Sequence, residues 1–334
     1  MASSFVRATS DMVRLVAIIL LGVALAVAKR SEPKDEGTER MLAEIDAGGD
    51  ATAVQSAEMA TREAVAVSNL DDEYADALKD IMAVITHGSD TSKDAALERL
   101  VELAVTTGEA SRDLARNFRS AVVAGGALPA VVEMLGAAEP RRAYVAAAAL
   151  HALALDDPET DEDNFHQGEI CQAGAIPLLV KLLDADEMQL QAAVTAALGT
   201  LAENPTCQAM IAAEGAIAPL VNMAHYGSDM QKLGALGALD VLSVNNPSVR
   251  AQLTQEGAPQ ILDGLASMGS GLLRDEAKAF GARMAEKAPS APMSVEAHRK
   301  TARQTRMRYD SVRQRAFQRM QGWSELPEAP PEVG

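Results

Sequence analysis

Basic side chains crowd residues 297–320, where Arg299, Lys300, Arg303, Arg306, Arg308, Arg313, Arg315 and Arg319 stand against the single acid Asp310. Charge of that density attracts acidic protein surfaces, anionic lipid or phosphates. Tyr309, Val312, Ala316, Met320 and Trp323 recur at helical spacing through the same stretch, so an amphipathic helix is predicted. Its candidate contact residues are Arg303, Arg306, Arg313 and Arg319. The helix fits a cap packed on the last structural unit, its arginines solvated or paired with acids. It also fits a partner-binding or membrane-surface element. Few aromatics are available for base stacking, which argues against RNA. The opposite pole is Asp156–Asp163, six acids in eight residues. That run suits a solvated loop, a dock for a basic partner, or a weak divalent-cation site. It lacks the glycine and spaced ligands of a calcium loop.

Other chemistry-bearing residues do not assemble into a site. His87, His151, His166, His225 and His298 are scattered, with no His-Glu-x-x-His spacing. No Ser-His-Asp set, paired carboxylates or phosphate-binding glycine loop emerges, so neither an enzyme nor a cofactor or metal site is expected. Two cysteines, Cys171 and Cys207, exclude a disulfide scaffold and a cysteine-ligated structural zinc. Whether the two bond to each other is open at this level.

The chain has 334 residues, a net charge of −17, 48% hydrophobic residues and only 3% aromatics. A core of Ala, Leu, Val, Ile and Met favours close-packed helices over strands. The acidic balance speaks against a nucleic-acid binder. Leu15–Ala28 is an unbroken apolar run of fourteen residues between basic flanks, with Ala26-Val27-Ala28 as a small-x-small cleavage site. It is short for a span and suits a cleaved secretory signal or an uncleaved anchor, which would place the protein in the secretory pathway or on a membrane. Residues 29–50 read as a charged linker, and 51–90 as N-terminal capping helices, the second running from Asp71 to a stop at Gly88.

A repeat begins near residue 91 and continues to about 288. Gly126-Ala127-Leu128-Pro129, Gly174-Ala175-Ile176-Pro177, Gly215-Ala216-Ile217-Ala218-Pro219 and Gly257-Ala258-Pro259 recur at intervals of 48, 41 and 42 residues. Ala-Leu helices precede the glycines at 95–104, 148–157, 196–205 and 237–247. Asn204-Pro205 and Asn246-Pro247 share the period and are read as helix terminators. The glycine permits a sharp bend and the following proline sits in a helix's first turn. No 42-residue unit buries its apolar face alone, but stacked neighbours do. The basic helix and a Pro-rich tail occupy 289–334.

The run Ala196-Ala197-Leu198-Gly199-Thr200-Leu201-Ala202-Glu203-Asn204-Pro205, then Cys207-Gln208, Ile211, Glu214-Gly215-Ala216-Ile217 and Leu220-Val221, resembles the armadillo repeat. The resemblance implies an all-α, right-handed superhelical solenoid of about four repeats with helical caps. Third helices would line a concave groove. Nuclear-import receptors of this fold carry Trp and Asn on those helices; here the matching positions are Ala148, Ala196 and Gly237, and Ala152, Thr200 and Val241, so that function is rejected. The groove is expected to be lined by Ala148, Ala152, Ala196, Thr200, Glu203, Gly237 and Val241. Its small residues predict a seat for backbone or a partner helix, not one that reads basic side chains, and arginine at Thr200 and Val241 should abolish capture. The layout is also similar to armadillo-type nucleotide-exchange factors of the endoplasmic reticulum lumen. That similarity implies a DnaK-class chaperone as partner. The competing expectations are a non-catalytic scaffold and a peripheral membrane protein held by its basic helix.

Overall fold

The computed structural model describes residue 70 and residues 72–105, 109–155, 166–286 and 293–323. The hydrophobic segment 15–28, the linker, the first capping helix and the acidic run 156–163 lie outside the described residues. The chain divides into two compact units, 1–131 and 132–334. That division falls inside the stretch read from the sequence as one repeat array.

In the first unit, α1 (Asp72–His87), α2 (Asp90–Ala104) and α3 (Glu109–Ala124) pack against one another. The stripe predicted for α1 faces inward, with Leu78, Ile81 and Ile85 buried. Tyr74 meets the edge of Phe118 at 5.9 Å between ring centroids. Ser89 caps α2 by accepting from the Ser92 amide. Buried Arg119 donates to the Ala104 carbonyl at 2.7 Å, satisfying the end of α2. Helix α4 (Leu128–Leu135) spans the division between units.

The second unit opens with α5 (Pro140–Ala154) and continues as three helical triplets. These are α6 (His166–Gln172), α7 (Ala175–Leu182) and α8 (Met188–Leu201); α9 (Pro205–Ala213), α10 (Ile217–Tyr226) and α11 (Asp229–Ser243); and α12 (Pro247–Gln255), α13 (Ala258–Met268) and α14 (Gly271–Ala285). A long helix, α15 (Val295–Trp323), follows. No strand occurs among the described residues. The repeat glycines explain the period. Gly126, Gly174, Gly215 and Gly257 all take positive φ, between 79° and 91°, where a side chain would be strained. The prolines that follow fall in the first turns of α4, α7, α10 and α13.

Asn204 and Asn246 do more than the sequence reading gave them. Each caps the next helix, Asn204 accepting from the Thr206 and Cys207 amides and Asn246 from the Val249 amide. Pro205 and Pro247 then occupy first-turn positions where no N–H is needed. The third helices stack in order, α5 on α8, α8 on α11 and α11 on α14. Leu150, Leu153, Leu198, Leu239 and Leu242 are buried in that stack, each contributing roughly 1.5–3 kcal/mol. Small residues let the helices close up. A Cβ built on Gly199 would lie 3.8 Å from the Ala238 Cα.

Candidate functional site

The side chains that could bind a partner converge on the third-helix face of the second unit, and α15 lies across it. This helix packs mainly on α11, with further contacts to α8 and α9. The cap reading placed it on the last unit; the structure instead seats it on the penultimate third helix, because Gly237 leaves a gap there. A Cβ on Gly237 would come within 2.9 Å of Tyr309 Cγ. The face of α15 turned inward comprises His298, Ala302, Thr305, Arg306, Tyr309 and Val312, all buried. Their spacing follows the helical period.

Three acids hold the arginines. Glu203, just beyond α8, pairs with Arg306 through Nε and with Arg303 at 3.8 Å. Asp240 on α11 pairs with Arg308 at 2.9 Å and with Arg283 of α14, whose Nε donates at 3.0 Å. Glu276 on α14 meets Arg308 at 3.0 Å. Asp310 also accepts from Arg306, at 2.6 Å. The Arg308 guanidinium lies 4.7 Å from the Tyr309 ring centroid, within cation–π range.

Burial sets the electrostatics. The Glu203 side chain is 1% exposed, and desolvation pushes its carboxyl above the ordinary value although Arg306 opposes the shift. Arg306 would be lowered by its own burial, but Glu203 and Asp310 outweigh that and raise it. The carboxylates thus hold Arg306 in its charged form, while burial makes the Glu203 carboxyl easier to protonate. Gln167 of α6 completes the cluster, donating to Glu203 and to the Ala154 carbonyl, each at 3.3 Å. Burial lowers His298, partly offset by its bond to the Ala202 backbone, so the imidazole is neutral at pH 7. Tyr309 is pushed well up by burial and then by Asp240, and stays protonated.

Of the residues named from sequence, Glu203 and Gly237 touch α15 directly. Ala148 and Ala196 are half-buried. Ala152, Thr200 and Val241 are fully buried within the second unit. Thr200 donates to the Ala196 carbonyl at 3.0 Å and sits 2.8 Å from His151 Nδ1. Arginine at Thr200 or Val241 would therefore test packing and not recognition. The basic side chains that this face does meet are those of α15, and acids, not aromatics, receive them. The side chains of Arg313 and Arg319 lie outside the described residues, although their backbone continues α15.

Sequence reasoning missed Asp240, Glu276, Arg283 and Gln167. A usable signal was present. Asp240 interrupts the apolar run Leu236–Leu242, and Glu203 follows Leu201-Ala202, so each acid stands where a third helix is otherwise apolar. Cys171 of α6 and Cys207 of α9 form a disulfide with Cα atoms 5.9 Å apart, joining the first helices of adjacent triplets. No group of ligands suited to a metal ion occurs among the described residues. Nor is any single described helix long and apolar enough to cross a membrane.

Glycine-hinged triplets whose third helices stack define an all-α solenoid of armadillo type. The family model for the armadillo/β-catenin-like repeat matches residues 166–203, which run from α6 through α8 to Glu203. Solved structures agree. A designed armadillo repeat protein in complex with peptide (KR)4 is 20% identical, covering 70% of this chain and 94% of its own, with a TM-score of 0.55. A computationally designed armadillo repeat protein for modular peptide recognition gives 21%, 72%, 97% and 0.52. The armadillo repeats only protein of Plasmodium falciparum gives 16%, 66%, 97% and 0.52. No curated protein matches the sequence.

Proposed function

We propose that the protein is a non-catalytic scaffold that binds a protein partner through the third-helix face of its second unit. One observation carries this reading: α8, α11 and α14 jointly present a surface on which a helix, α15, is seated by shape at Gly237 and by charge at Glu203, Asp240 and Glu276. The armadillo-type fold supports it, and two structural neighbours are described as peptide-binding or built for peptide recognition. A photo-crosslinking residue at Ala196 should capture a partner, and the same residue at exposed Met210 of α9 should not. Equal capture from both positions contradicts the reading.

A second reading concerns place and partner. The Cys171–Cys207 disulfide and the apolar segment 15–28 together favour the secretory pathway, where such bonds persist. A lumenal nucleotide-exchange factor for a DnaK-class chaperone is the specific form of that idea. It requires the chain to accelerate release of a fluorescent nucleotide from such a chaperone; an unchanged release rate removes it. The membrane-surface alternative draws least support, because Arg303, Arg306 and Arg308 are engaged by Glu203, Asp240 and Glu276.

A further inference from the structure

The seat of α15 has the make-up of a reversible contact. Its apolar share is small, limited among the described side chains to Ala302, Tyr309 and Val312. The rest is ionic, and buried ion pairs add little net stability because desolvation offsets the attraction. Among the uncharged groups of the seat, the Tyr309 hydroxyl and His298 Nε2 are buried without a hydrogen-bond partner. Each such atom penalises docking, and each is relieved on release. The face beneath is a better binding surface than its occupant is a ligand. It offers a slot at Gly237 for an aromatic ring, with acids on either side for arginines.

We infer that α15 is a tethered occupant, and that the partner of this face is a protein presenting a basic amphipathic helix that displaces it. This inference rests on the scaffold reading above and adds the partner's chemistry and its competition with α15. The displacing helix repeats the docked pattern: a small residue four positions after the first contact and an aromatic at eleven. Arginines stand at five, eight and ten, corresponding to His298, Ala302, Tyr309, Arg303, Arg306 and Arg308. Phenylalanine at the Tyr309 position gives a tighter ligand, since no hydroxyl is orphaned. Covalent attachment gives α15 an effective concentration on the order of millimolar, so a free peptide of identical sequence at micromolar concentration competes poorly with it.

The test uses the full chain and a fluorescent synthetic peptide of residues 295–323. Arg306→Glu with Arg308→Glu releases α15 by charge; Tyr309→Ala releases it by shape and leaves every charge in place. Peptide affinity should rise by about tenfold or more in both released chains relative to wild type, as the competent fraction rises. A Tyr309→Phe peptide should bind more tightly than the parent, and Glu203→Lys in a released chain should cancel the gain. Equal affinity for wild type and released chains overturns the competition but leaves the face intact. No binding to either released chain, with their circular dichroism unchanged, overturns the face itself. A peptide with arginines replaced by glutamine that binds equally well overturns the proposed chemistry. Dimerisation of wild type by exchange of α15 assigns the occupant to a second copy of this chain and overturns the separate partner.

Discussion

Gly237 separates two effects that usually coincide. Alanine there raises the intrinsic helicity of α11 by about 0.5–1 kcal/mol. The new methyl would stand 2.9 Å from Tyr309 Cγ, so the ring must move and docking weakens by roughly 1–3 kcal/mol. Gly237→Ala is therefore expected to leave α11 protected from hydrogen exchange while α15 loses protection. Loss in both helices would mean that the two are not separable. His298 gives a pH prediction. Docking holds its imidazole below the ordinary 6.5 by burial, whereas the released helix titrates at that value. The released state then binds more protons as pH falls through 6.5, so docking is complete above it and weakens below. Glu203 acts in the opposite sense, because its raised carboxyl lets the docked state take a proton above pH 4.5. The histidine contribution is isolated by comparison with His298→Gln, which should flatten the loss of α15 protection between pH 7 and 5. An unflattened profile would remove His298 from the mechanism.

At the scale of elements, the triplets depend on seams that small residues keep close and on the bond between α6 and α9. Val241→Arg places a cation at a fully buried position and should destabilise the second unit by about 3 kcal/mol or more, measured by urea unfolding. Cys171 and Cys207 are separated by 36 residues, and the entropy of the loop they close predicts a loss of roughly 2–4 kcal/mol on reduction. Thermal unfolding with and without a thiol reductant checks this; an unchanged midpoint would show the two helices are held by packing alone. Much of this scale was legible in the chain. The recurring Gly-Ala turns announced the left-handed bends at Gly174, Gly215 and Gly257, since few other residues accept them. The disulfide was not legible, because a 36-residue spacing near one period leaves the three-dimensional separation open. Nor was the landing place of α15. Amphipathicity declares that a helix has a buried face, but the gap that receives Tyr309 belongs to another helix, at Gly237, far earlier in the chain.

At the scale of the whole molecule, a chain of net charge −17 carries its strongest basic stretch at 297–320. Sequence composition leaves those arginines solvated, paired with the chain's own acids, or turned toward a membrane or a partner. Arg303, Arg306 and Arg308 turn to the chain's own acids, by a placement that composition does not register: Glu203, Asp240 and Glu276 share one face only after the third helices stack. The secretory reading belongs to this scale too. The mature protein is expected to begin at Lys29, after Ala26-Val27-Ala28, and N-terminal sequencing of protein from its native source checks it. Retention of Met1 would contradict a cleaved signal. The central claim, that the third-helix face seats a basic helix by paired charge and a glycine slot, is most directly tested by hydrogen exchange in α15. Residues 298–312 should be protected in the wild-type chain and unprotected in Glu203→Lys, with α8, α11 and α14 protected in both. An α15 that exchanges freely in the wild type, or stays protected in the variant, would contradict it.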